Sequence, residues 1–230
     1  MSTIVAVFRE IRGSLLPWLA LTAGFFAAFH LWQLALLVLS FQELPNYLTI
    51  HDWPANVARI VRMTPSVSDA AWIMLDEWLI EIGSMNYAYG RGIAEWSFVI
   101  MPAKAAVVLL VSLLLATIVM LLRAVRRTCP LSFRICAAVG AAGGTFIAAL
   151  ATMTITWVAH CATPTWIVGL AFLGVDVATA FALQPFGGWL VLSGILLLAA
   201  VTVALGSLLV RRPEPADAMP PPRQFARAAS

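Results

Sequence analysis

The chain has 230 residues, of which 62% are hydrophobic and only 11% charged. A soluble domain carries about a quarter charged residues, so this composition cannot cover a globular surface and lipid is the solvent it calls for. The formal charge of +3 says less than the placement of the charges: Lys104 is the single lysine beside thirteen arginines.

A transmembrane helix needs about 20 mostly apolar residues. The first such run follows Arg9 and Arg12 and extends over 14–41. It is too long for the apolar region of a cleaved signal peptide and no small-x-small cleavage site follows, so it reads as an uncleaved first span. The others are 96–122, 135–159 and 189–210. Arg9, Arg12, Arg123, Arg126, Arg127, Arg134, Arg211, Arg212, Arg223 and Arg227 fall on one side of these four spans. Only Arg59, Arg62 and Arg91 fall on the other, among seven acidic residues. This asymmetry places both termini in the cytoplasm of a bacterial inner membrane, with 42–94 and 160–188 in the periplasm. The fold class expected is therefore all-α, a polytopic bundle in one membrane domain over 1–210. The Pro- and Ala-rich tail 211–230 reads as disordered.

In the first periplasmic segment, Trp72, Leu75, Trp78, Leu79 and Ile82 recur at helical spacing opposite Asp76, Glu77 and Glu81. The spacing predicts an amphipathic helix over 71–82 lying along the membrane or covering protein. Asn86 to Gly90 reads as a turn before the second span. Residues 164–186 are apolar enough for a fifth span, but a fifth crossing would put the arginine-bearing tail outside. A re-entrant or interfacial helix, bounded by Pro164 and by Pro185 to Gly188, fits the charges better.

Polar residues inside these spans are candidates for function, because lipid does not solvate them. His30, Gln33, Lys104, His160 and Asp176 form the expected intramembrane polar cluster, all towards the periplasmic half. It reads either as a structural cluster that fixes bundle packing or as a working site. Lys104 either snorkels to the headgroups or pairs with Asp176, and such a pair would suit a small transporter or proton-coupled carrier. His30 and His160 together could ligate haem b in a membrane redox subunit. No metal site has the usual ligand spacing.

Two small-residue stripes carry packing information. Gly140, Gly144, Ala148, Thr152 and Thr156 recur every four residues, and Ala20, Ala23, Gly24 and Ala27 lead to His30 and Gln33. Small faces let a second helix backbone approach closely, within the bundle or from a partner protein. Cys129, Cys136 and Cys161 form no CxxC, and the expected topology puts Cys161 on the opposite side from the other two. No phosphate loop, GxSxG or HExxH is present, so the chain reads as non-enzymatic, without a nucleic-acid partner.

Residues 102–113, PAKAAVVLLVSL, resemble a stretch in the four-span inner-membrane proteins encoded with integrating conjugative elements. Those proteins similarly have a Trp-rich periplasmic loop after the first span and a basic loop after the second. Their Arg-Glu-Ser and Tyr-His signature is replaced here by Arg126-Arg127-Thr128-Cys129-Pro130. The resemblance covers about a tenth of the chain and implies an accessory subunit of a conjugative transfer or secretion assembly, with membrane proteins and lipid as partners.

Overall fold

The computed structural model describes residues 3–88, 90, 92–125, 131–152, 155–157 and 187–210. Helix α1 (Thr3–Gly13) breaks at Ser14, whose hydroxyl donates to the Glu10 carbonyl at 2.9 Å. Helix α2 (Leu15–Phe41) then runs for 27 residues, about 40 Å at 1.5 Å per residue. Pro17 in its first turn removes a donor that has no intrahelical acceptor. Gln42, at φ 55°, closes its C-terminus in the left-handed conformation.

The chain beyond α2 is partly a sheet. Strand β1 (Tyr47–Ile50) is followed by α3 (Trp53–Met63) and α4 (Val67–Asp76), then by β2 (Ile80–Asn86) and β3 (Ile93–Ile100). Helices α5 (Pro102–Val125) and α6 (Leu131–Thr152), strand β4 (Ile155–Trp157) and helix α7 (Gly187–Val210) follow among the described residues. The four strands pair antiparallel in chain order. The molecule is mostly helical, but this sheet corrects the all-α expectation.

Three local readings change with it. The helix expected over 71–82 ends at Asp76, and Glu77 is already extended at φ −68°, ψ 145°. Asp76 and Glu77 oppose the negative end of the helix dipole, and Ile80 and Ile82 favour a strand. The span expected from 96 starts at Pro102, because Trp96 to Ile100 belong to β3. Proline is a first-turn residue, and here it marks the change from strand to helix. The span expected over 135–159 runs from Leu131 only to Thr152, and Ile155–Trp157 pair with β3.

Among the described residues three helices are long and apolar enough to cross a membrane: α2, α5 and the Val191–Val210 part of α7. Helix α6 has 22 residues and lies against α5 and α7. Helix α5 is central, packing on α1, α2, α4, α6 and α7. Val111, Ile118, Leu121 and Val125 from α5 meet Ala137 and Ala141 from α6 and Leu198 and Leu205 from α7 in one buried cluster. A second cluster joins Leu37 of α2 to Trp96 and Phe98 of β3, so the sheet sits at the C-terminal end of α2.

Candidate functional site

Buried hydroxyls within the bundle are satisfied locally. Thr22 donates to the Trp18 carbonyl, Ser112 to that of Val108 and Thr117 to that of Leu113, each four residues back. The Trp18 indole N–H donates to Thr117 Oγ1 at 3.0 Å and ties α2 to α5. These bonds show what hydrocarbon requires of a polar group.

His30, Gln33 and Trp96 depart from that pattern. Both ring nitrogens of His30, the Gln33 amide nitrogen and the Trp96 indole nitrogen are buried without a hydrogen-bond partner among the described residues. His30 sits in an aromatic box, with the Phe26, Phe29 and Phe98 ring centroids at 4.6, 5.8 and 5.9 Å. Gln33, one turn further on, is only 2% exposed, and Trp96 is fully buried and stacks on Phe41 at 6.4 Å. A neutral imidazole offers one donor and one acceptor, whereas the amide nitrogen and the indole only donate. The α2–β3 joint therefore holds polar groups whose hydrogen-bonding capacity is unspent among the described residues.

The rest of the expected cluster is distributed differently. Lys104, half-buried in the first turn of α5, lies in the field of Asp76 at the end of α4. This nearby carboxylate was not anticipated. His160 and Asp176 lie outside the described residues, as does 164–186. Among the described residues no three His, Cys, Asp or Glu side chains are grouped to hold a metal.

The two small-residue stripes have different surroundings. A Cβ on Gly144 would stand 2.9 Å from the Gly194 carbonyl oxygen, and one on Gly140 3.0 Å from Val201, so these positions face α7. The side chains of Ala148 and Thr152 lie outside the described ones, and Thr156 belongs to β4 rather than to the helix. On α2, Ala20, Ala23, Gly24 and Ala27 point outward, and a Cβ on Gly24 would meet none of the described residues within 4 Å. His30 and Gln33 do not continue that face. They turn inward with Thr22 and Leu37, because the packed side of α2 is offset from its small side.

The sequence reading missed the polar face of the sheet. Tyr47, Thr49 and His51 alternate with Leu48 and Ile50, as do Glu81 and Gly83 with Ile80 and Ile82. Tyr47 donates to Glu81 Oε1 at 2.7 Å, and His51 Nε2 approaches Glu81 Oε2 at 3.5 Å without hydrogen-bond geometry. Burial and then the Glu81 carboxylate push the Tyr47 hydroxyl well above its ordinary pKa. The period-2 alternation was the available signal, but in 71–82 the helical spacing of the large side chains obscured it.

The β2–β3 register shifts between Ser84 and Met85, opposite Glu95. A bulge of this kind re-aims a side chain, and Glu95 here shares a hydrogen bond with Glu43. Ser84 donates to Glu43 at 3.0 Å and Asn86 to Glu95 at 2.8 Å. The bond to Glu95 raises the Glu43 pKa, and the bond from Glu43 lowers that of Glu95. The raised group stabilises the fold below its unfolded pKa, an advantage lost as pH rises through its folded pKa. The lowered group stabilises above its unfolded pKa, an advantage lost as pH falls through its folded pKa. The pair is therefore strongest between the two folded values, with one proton shared. Hydrogen exchange of 84–95 across about pH 4 to 8 should show protection falling towards neutrality, and Glu43→Gln should abolish that fall. Equal slopes in the two proteins would contradict the shared proton.

No protein-family model, curated protein or solved structure matches the chain.

Proposed function

We propose that the protein is a non-enzymatic accessory subunit of a multi-protein assembly in a bacterial inner membrane, such as a conjugative transfer or secretion apparatus. In this reading α2, α5, α6 and α7 all cross the bilayer, the sheet and α3–α4 lie in the periplasm, and both termini are cytoplasmic. The observation that carries it is the outward small face of α2. Only 11% of an apolar 18-residue stretch of α2 is buried, against 44% in α5. Against lipid alone a small face gives up dispersion contacts that a closely packed helix would supply.

The test replaces Gly24 and Ala27 together by leucine. In native membranes solubilised in mild detergent, wild-type protein should migrate on a native gel as a larger assembly. The double variant should run as the isolated subunit, with its thermal unfolding midpoint unchanged because neither position packs against the described residues. Wild-type protein running alone, or a variant that keeps its partners, would count against the reading.

A further inference from the structure

Helix α1 presents two unlike faces. Its inner face crosses α7 at Gly206, where a Cβ would stand 2.7 Å from Val7 Cγ2 and 2.8 Å from Thr3 Cγ2. Ala6 is buried on the same side. The outer face carries Ile4 and Phe8 one turn apart, 67% and 68% exposed, with Ile11 continuing the row. Arg9 and Arg12 border that row, both exposed and in no ion pair among the described residues. Beyond the break at Ser14, the exposed Leu15 and Leu16 begin α2, a helix apolar and long enough to span the bilayer.

We propose that α1 is an interfacial helix that binds an anionic lipid surface at the end of the bundle opposite the sheet. Two observations select lipid as the occupant. The apolar row is followed along the chain, after the break at Ser14, by the exposed Leu15 and Leu16 that begin α2, so the bilayer that receives α2 is already at hand. The two bordering arginines carry the charge that lipid phosphates complement. A helix of this kind lies in the interface with its apolar row in the upper acyl layer, its arginines reaching back to the headgroups. The missing side chain at Gly206 lets α1 approach the α7 backbone, and that contact fixes the direction of the outer row before lipid arrives.

The experiment uses full-length protein in nanodiscs, one set of phosphatidylcholine and one of phosphatidylcholine with phosphatidylglycerol. A nitroxide at Phe8→Cys, with Cys129, Cys136 and Cys161 replaced by serine, reports depth through collision with oxygen and with a water-soluble nickel complex. The label should favour oxygen in the anionic discs. Each of Arg9→Gln and Arg12→Gln should lower the ratio of docked to free label roughly fivefold there, the effect of one basic residue near an anionic surface. Little effect is expected in phosphatidylcholine. Should the cysteine-free protein fold poorly, hydrogen exchange of residues 3–13 in wild-type protein gives the same answer, with greater protection expected in anionic discs. A label open to nickel in both lipids, or one closed to both reagents, overturns the proposal. So does α1 protection that is indifferent to lipid charge. The closed label would mean that a protein, a second copy included, covers this face.

Discussion

Gly83→Ala should cost about 3 kcal/mol, at the upper end of what overpacking a close contact costs. A Cβ at Gly83 would overlap the Trp96 carbonyl oxygen and stand 2.7 Å from the Tyr47 hydroxyl. The carbonyl belongs to β3, on which β2 is paired, and cannot yield without moving that strand. Tyr47, directly opposite Gly83 in β1, reaches over the missing side chain to Glu81 two residues along. One methyl group thus presses on the β2–β3 ladder and displaces the tyrosine that ties β1 down. Amide protection across 47–50 should fall by roughly two orders of magnitude, as 1.4 kcal/mol is tenfold. Gly24→Ala is the control, having open space around it among the described residues. Unchanged exchange at β1 in Gly83→Ala would show that the tyrosine does not hold the edge strand.

Gly144→Leu should lower the thermal midpoint of the protein in detergent more than any other single change on α6. The first atom of the new side chain would already be 2.9 Å from the Gly194 carbonyl and 3.0 Å from Leu198 Cγ, with the rest of the leucine still to place. Leu198 is fully buried in the cluster shared by α5, α6 and α7, so it has no free volume to move into. Between membrane helices, association rests on close van der Waals contact rather than on expulsion of water, and separating the backbones forfeits it. A loss of about 2–3 kcal/mol is expected. Gly143→Leu, whose Cβ would meet, among the described residues, Leu197 Cδ2 alone at 3.9 Å, should lose far less. Equal losses in the two variants would refute the one-sided packing of α6 on α7.

The sequence reading was most accurate where one property adds up along the chain. The run 14–41 corresponds to helix Leu15–Phe41 and the run 189–210 to Gly187–Val210, because twenty apolar residues demand a helix whatever surrounds them. It was least accurate where two periodicities competed. In 71–82 the tryptophans and leucines fall at helical spacing while Ile80, Glu81, Ile82 and Gly83 alternate, and nothing within twelve residues decides between them. The decision comes from Tyr47–Ile50 and Ile93–Ile100, which bracket β2 in the sheet. The candidate cluster divided in the same way. His30 and Gln33 were identified as polar groups out of place in a span, but no sequence rule pointed to the Phe98 ring or the Trp96 indole that enclose the joint.

By itself, then, the sequence determined the solvent of this protein, the helices that lipid requires and the arginine asymmetry between their ends. Tertiary structure alone decided that residues between α2 and α5 form a sheet, that the described residues leave the small face of α2 open while they fill that of α6, and that Glu43 meets Glu95. The physical reason is range. Burial of a span in lipid is satisfied by the span's own composition and length, whereas a strand, a helix face or a shared proton is defined only by a partner brought from elsewhere in the chain.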